Sequence, residues 1–184
     1  MNPEPSVRSQ LLIALEHPER TPNDSIRGLI EALEREQPAD IERQFDQLEG
    51  VWELRWSSGP RPERLLGPWA QSLQVLDPAH GRALNVLRLS GLAGLGQITA
   101  LAAIEPIGPQ RLNVRFEQGG WSGPRLGGRQ LDLQRTVRQS FPAWLDVTVL
   151  DQELRLCRGS AGSLFALTRL PLELNAFPWP SGSG

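Results

Sequence analysis

Few side chains in this chain have the chemistry to catalyse a reaction. There is one cysteine, Cys157, and there are two histidines, His17 and His80. Neither histidine has a metal-ligand neighbour at useful spacing, so no metal site and no metal cofactor is expected. A Cys–His nucleophile pair stays open by sequence, but Cys157 sits inside a strand-like run, where a small buried side chain is the commoner use. The nucleophile elbow G-x-S-x-G, the phosphate-binding P-loop and the zinc motif H-E-x-x-H are all missing. Gly91–Gly96, reading GLAGLG, lacks the spacing and βαβ setting of a dinucleotide turn. Asp151 and Glu153 stand two apart, share a strand face and would repel, which fits a turn or edge rather than an acid/base pair. The expectation is a binding protein with no catalytic residues and no cofactor.

The informative residues are arginine and tryptophan. Leu150–Arg169 reads LDQELRLCRGSAGSLFALTR. Two strand-like runs, Glu153–Arg158 and Ser163–Thr168, flank Gly159–Gly162, whose composition is that of a hairpin loop. Leu154, Leu156 and Arg158 share one face, and Arg155 and Cys157 the other. An arginine that continues an apolar face needs a partner, because an unpaired buried charge is costly. The order Gly50-x-Trp52 on a first strand and arginine on a late one suits a small barrel. The guanidinium lies over the indole and closes one barrel end, a contact worth about 0.5–2 kcal/mol. Gly50, Trp52 and Arg158 are therefore expected to form a barrel-closing lock, and Trp56, Phe116, Leu154 and Phe165 to line a ligand cavity.

Three stretches carry a resemblance. Leu150–Phe165 has the form LD-x-E-LR-x-x-RG-x-x-G-x-L-F. Leu48–Ser58, LEGVWELRWSS, is similar to L-x-G-x-W-x-L-x-Y-[TS]-S. Leu66-Gly67, Gln74 and Asn85-Val86 follow in order. Together they resemble the plastid lipid-associated protein (PAP)/fibrillin family over about residues 47–170. The chain departs from the pattern at Trp56, where the family has tyrosine, at Cys157, where it has serine, and in a short, apolar middle. The resemblance implies a lipocalin-like barrel that binds or carries a prenylquinone, carotenoid or membrane lipid at thylakoids or lipid droplets. The alternative it leaves is a ligand-free scaffold for photosynthetic membrane proteins. The opening MNPEPSVRSQ has neither an apolar signal core nor transit-peptide composition, so the expected version is cyanobacterial, cytoplasmic or peripheral on the thylakoid membrane.

Elements must position these residues. Residues 1–47 read as a helical segment: Ser6 precedes Val7, Leu11, Leu12 and Leu15, Asn23 or Asp24 precedes Ile26, Leu29, Ile30 and Leu33, and Asp40 precedes Ile41 and Phe45. From 48 to 170 short alternating runs divided by Gly, Pro and Ser predict a mainly β (α+β) fold, an antiparallel barrel of about eight or nine strands. Gly119–Gly128 is expected to be a mobile loop carrying Trp121 as an interfacial anchor. The tail, 171–184, is expected to fray. The 184 residues carry 21 acidic and 19 basic side chains, every basic one arginine, which gives −2 and no nucleic-acid footprint. An arginine patch at Arg111, Arg115, Arg125 and Arg129 is a candidate for anionic headgroups. Leu92–Ile104, the least polar stretch, is too short to span a bilayer, so any membrane contact is peripheral.

Overall fold

The computed structural model describes residues 5–59, 70–89, 96–126, 129–136, 143–177 and 179. Leu66-Gly67 and most of GLAGLG lie outside them, as do the side chains of Arg125 and Arg129.

Nine antiparallel strands follow three helices: β1 Gly50–Ser57, β2 Ala70–Asp77, β3 Arg82–Leu89, β4 Gln97–Pro106, β5 Arg111–Leu126, β6 Arg129–Thr136, β7 Ala143–Leu150, β8 Leu154–Gly159 and β9 Leu164–Leu170. The ladder runs β4-β3-β2-β1-β9-β8-β7-β5-β6, and β4 also pairs with β5. That second pairing closes eight strands into a barrel and leaves β6 as an extra strand on the outer half of β5. Such closure removes the unpaired edges that eight short strands would otherwise expose. The barrel and its helical lead-in are those predicted from the alternating runs.

One end is sealed by the chain that enters β1. Helix α3 (Ile41–Gln44) and the 3-10 turn Phe45–Leu48 put Ile41 and Leu48, both fully buried, against Trp52, Leu76, Leu112, Val147 and Leu167. β1 and β3 end, and β2, β4 and β7 begin, at the opposite end, which is the mouth.

The outside of the barrel is apolar as well, because it too is covered. Helices α1 (Val7–Glu16) and α2 (Asn23–Glu36) lay Leu11, Leu15, Ile26, Ile30 and Leu33 onto Val149, Leu154, Leu156, Leu164 and Ala166. Ser6 caps α1, its Oγ accepting from Ser9 N at 3.2 Å. The cap of α2 is Pro22, not Asn23 or Asp24; Asn23 lies within the helix and its Oδ1 accepts from Trp56 Nε1 at 3.0 Å. Asp40 makes no side-chain cap bond to α3.

Two loop expectations are overturned. Gly119–Leu126 is not a loop but the outer half of β5, paired with β4 as far as Ser122 and with β6 to Leu126. Glycine suits Gly120 because a Cβ there would press on Oγ1 of its cross-strand partner Thr99 at 2.8 Å. The described part of the tail does not fray either. Phe177 is buried against Val51, Val75, Leu84 and Val86, and the guanidiniums of Arg88 and Arg82 lie over Phe177 and Trp179 at 4.8 and 4.3 Å. Aromatic rings on an uncovered apolar sheet face outweigh the weak chain propensity of a Pro-rich terminus.

Candidate functional site

The site begins at the sealed base. Trp52 is fully buried, and its Nε1 donates to Leu48 O at 2.9 Å. The guanidinium over its ring, at 4.2 Å, belongs to Arg169, which pairs with Trp52 across β1 and β9. Arg169 Nε donates to Gln152 O and Nη2 to Gln47 O, each at 2.6 Å, and Nη1 donates to Glu49 O. Three carbonyls from two connecting segments are thereby tied to one side chain. Gly50 has φ +135°, and a Cβ there would collide with Arg169 Nη1, so both the backbone angle and the space call for glycine. The lock is therefore Gly50, Trp52 and Arg169.

Arg158 is not part of it. Its Nε and Nη2 donate to the Glu34 carboxylate on α2 at 3.0 and 2.5 Å, outside the barrel. The alternation along β8 is as read from the sequence, but its sense is reversed. Leu154, Leu156 and Arg158 face the helices, and Arg155 and Cys157 face inward. An apolar face must point inward only if the other face meets water; here α1 and α2 bury the outer face as fully as the inner one.

The predicted cavity wall divides for a related reason. Leu154 packs under α1 and α2. Trp56 does so too, because β1 carries a bulge: Leu54 opposes Leu167, yet Trp56 opposes Ala166, leaving Arg55 as the extra residue. One added residue turns Trp56 from the inner face, where Trp52 and Leu54 lie, to the outer face. Arg55 is used at once, donating to Leu15 O and Glu16 O at 3.0 Å at the end of α1. Neither Trp56 nor Leu154 can touch a ligand inside the barrel. Phe165 and Phe116 do lie on the inner face. Phe165 opposes Cys157, Phe116 opposes Ala102, and both rings are only partly buried.

Small residues surround them. Ala100, Ala102 and Gly119 occupy inner positions of β4 and β5. Toward the mouth the same face carries Ile98, Trp121 and Leu133 in one row across β4, β5 and β6; Ile98 is 45% and Leu133 67% exposed. The arginine patch is weaker than expected. Arg111 is held by Asp146 at 2.6 and 2.8 Å and lies over Trp144, and Arg115 pairs with Glu117 at 3.1 Å.

Inside the barrel the residue that sequence reasoning missed is Arg155. It is fully buried, 5.0 Å from the Trp52 ring centroid, with Nη2 donating to Gln74 Oε1. Its Nε and Nη1 have no hydrogen-bond partner. Burial pushes its pKa down, and neighbouring Arg169 acts in the same direction. The signal was present: Gln74, picked out by the motif comparison, pairs in register with Trp52 and Asn85 and so shares the inner face.

Reactive groups are disarmed. Burial pushes the Cys157 thiol up to about 11, away from the thiolate form a nucleophile needs. His80 bonds Asp77 at 2.8 Å in the β2–β3 turn, and His17 is exposed at the end of α1, so neither lies with Cys157 inside the barrel. Among the described residues no cluster of His, Cys, Asp and Glu could hold a metal ion. Asp151 and Glu153 are held together by Arg8, whose Nε and Nη2 donate to them at 2.7 Å. Asp151 Oδ1 also accepts from Glu153 N and Leu154 N at 2.8 Å, the turn role expected of it. Burial alone would raise the Asp151 pKa, but Arg8 and these backbone donors outweigh it and hold the carboxyl below its usual range. Two open clefts, of about 270 Å³ beside α1 and about 440 Å³ around Pro109, lie outside the barrel.

No solved structure matches the chain. Probable plastid-lipid-associated protein 2, chloroplastic, of Arabidopsis thaliana is 28% identical over 193 residues, covering 78% of this chain and 62% of the relative. Plastid lipid-associated protein 1, chloroplastic, of Brassica campestris is 27% identical, with 78% and 59% covered. The chain thus spans about three-fifths of the length of the curated relatives it matches. The PAP_fibrillin family model matches residues 15–168, from the end of α1 through the final hairpin, and includes Gly50, Trp52, Arg155 and Arg158. With that match over most of its length, the chain belongs to the PAP_fibrillin family.

Proposed function

We propose that this protein binds one small hydrophobic molecule in the upper half of its barrel and carries it to or from a membrane surface. The observation that carries the reading is the contrast between the two ends. The base is dry and locked around Trp52, whereas the upper inner face has partly exposed Phe116 and Phe165 among alanine and glycine. An apolar guest there gains roughly 25 cal/mol for each Å² of apolar surface removed from water. Exposed Ile98 and Leu133, with half-buried Trp121 between them, continue that face to the rim and suit contact with a lipid surface. The names of the relatives point to lipid association in plastids. A prenylquinone, a carotenoid or another membrane lipid at photosynthetic membranes is the guest class we assign, with peripheral attachment; no described helix is long and apolar enough to cross a bilayer.

The role is binding rather than catalysis, since among the described residues the inner face presents a protonated thiol and no acid/base pair. Organic extraction of the purified protein followed by mass spectrometry identifies a bound lipid. Titration with a prenylquinone or carotenoid should change tryptophan fluorescence saturably at about one ligand per chain. If no lipid fraction binds above background, the carrier reading fails, and a scaffold for photosynthetic membrane proteins takes its place.

A further inference from the structure

Arg155 is set apart from the other arginines around the barrel. Arg8, Arg55, Arg82, Arg111, Arg115 and Arg158 each meet a carboxylate within 3.1 Å. Arg169 has no carboxylate, but every nitrogen of its guanidinium donates to a carbonyl. Arg155 meets one neutral amide, that of Gln74, and keeps two nitrogens unpartnered at zero exposure. A guanidinium does not shed its proton in a protein, so the barrel interior holds a positive charge with no anion beside it among the described residues. Its other close charged neighbour, Arg169, is also a cation. An arrangement of this kind is costly unless an anion completes it.

We propose that Arg155 is the head-group receptor of the barrel, and that its ligand is a long-chain carboxylate. The inference rests on the reading that the upper barrel takes an apolar guest, and it names the chemistry at the guest's inner end. Arg155 lies four residues below the rim residue Gly159, about 13 Å down the strand. A carboxylate at that depth meets Nη1 and the second Nη2 proton end-on, and its hydrocarbon chain rises past Phe165 and Phe116 toward the mouth. A single negative charge matches the single free guanidinium; a doubly charged phosphate would bring its excess charge into the same dry site. Gln74 fixes the guanidinium plane through one Nη2 proton and leaves the Nη1/Nη2 end of the fork for the ligand.

The test uses the full chain, with oleate, methyl oleate and oleyl alcohol as probes. The wild-type protein should bind oleate at about one equivalent and at least about tenfold more tightly than methyl oleate, the factor an ionic hydrogen-bonded contact supplies. In Arg155→Met that preference should vanish while the three probes bind alike. Oleate labelled with ¹³C at the carboxyl carbon should show, bound to wild type, an ionisation moved to lower pH than free oleate. This measurement needs no variant, and it decides the matter if Arg155→Met fails to fold. Equal binding of oleate and methyl oleate by wild type, or a preference retained in Arg155→Met, overturns the proposal. Neutral prenylquinone bound without any preference for oleate would sink this inference and leave the carrier reading standing. Binding of none of these lipids would sink both.

Discussion

Arg169→Ala is the sharpest test of how the barrel base is held. The substitution removes three donors, to Gln47 O, Glu49 O and Gln152 O, and the cation over Trp52. A charged hydrogen bond contributes about 1.5–3 kcal/mol when its partner is left dry. The three carbonyls lie in connecting segments that water reaches, so about 0.5–1 kcal/mol each is the appropriate scale here, with about 0.5–2 kcal/mol for the cation–π contact. Together these give about 2–5 kcal/mol. For a chain of this length each kcal/mol moves the melting temperature by about 2–4 °C. The variant should therefore melt roughly 4–20 °C below wild type. Arg158→Ala is the control, because it breaks one partly exposed pair with Glu34 and should cost only about 1 kcal/mol. Thermal melts by circular dichroism at matched pH and salt separate the two. If Arg158→Ala lowers the melt as much as Arg169→Ala, or if Arg169→Ala melts with wild type, the lock has been assigned to the wrong residue.

Other outcomes follow from the same geometry. Leu154→Ala should destabilise by about 2–5 kcal/mol, since the side chain is fully buried between β8 and the helices, while leaving lipid affinity unchanged; a loss of affinity without a loss of stability would return Leu154 to the cavity wall. Asp151 and Asp77 both have carboxyls held below their usual range in the folded state, Asp77 because the His80 and Arg82 contacts outweigh its burial. Their contribution is present above the unfolded value of about 4 and is lost as pH falls through the lower folded value. Stability should therefore drop below about pH 4, and Arg8→Met should flatten that slope; an unchanged slope would mean that Arg8 does not hold Asp151. Cys157, buried with its thiol pushed up to about 11, should react with a thiol reagent at pH 8 only after denaturant is added. Rapid labelling of the native protein would contradict its inward placement.

The fold was legible because its signals are local. Period-two runs, the Gly159–Gly162 turn and the helical spacing of residues 7–33 each need only neighbours in sequence. Which face of β8 turns inward needs knowledge of what covers the other face, and that cover comes from α1 and α2, more than a hundred residues away. The bulge at Arg55 was likewise silent. Trp52, Leu54 and Trp56 alternate perfectly as written, and only pairing with β9 shows the added residue. Arg158 looked like the lock because it follows Leu154 and Leu156 in period. Arg169 stands at the end of β9, where a terminal arginine reads as an ordinary solvated charge. Arg155 was placed on the correct face relative to its neighbours, but an inward-facing charge ran against the assumption that the interior is the apolar side.

The eight strands do not hold one another equally. Among the described residues β5 meets β7 over four register pairs, from Arg111–Asp146 to Val114–Ala143, whereas it meets β4 over ten. Beyond Val114 its partner on that side becomes β6. Mechanically the barrel is a sleeve with one short seam. The lining on the far side of the sleeve, under α1, α2 and the docked tail, is doubly backed, while no described helix backs the seam half-way up. Strain from a bulky guest would concentrate above Val114, where β5 has left β7 and fewest hydrogen bonds oppose it, so the bore would widen there while the Trp52 base, with Leu112 and the four β5–β7 pairs, stays fixed. Amide protons of Val114 and Ala143, the pair that borders this gap, should then exchange faster than those of Val51 and Val75, and a guest's thickness rather than its length should set how fast it enters.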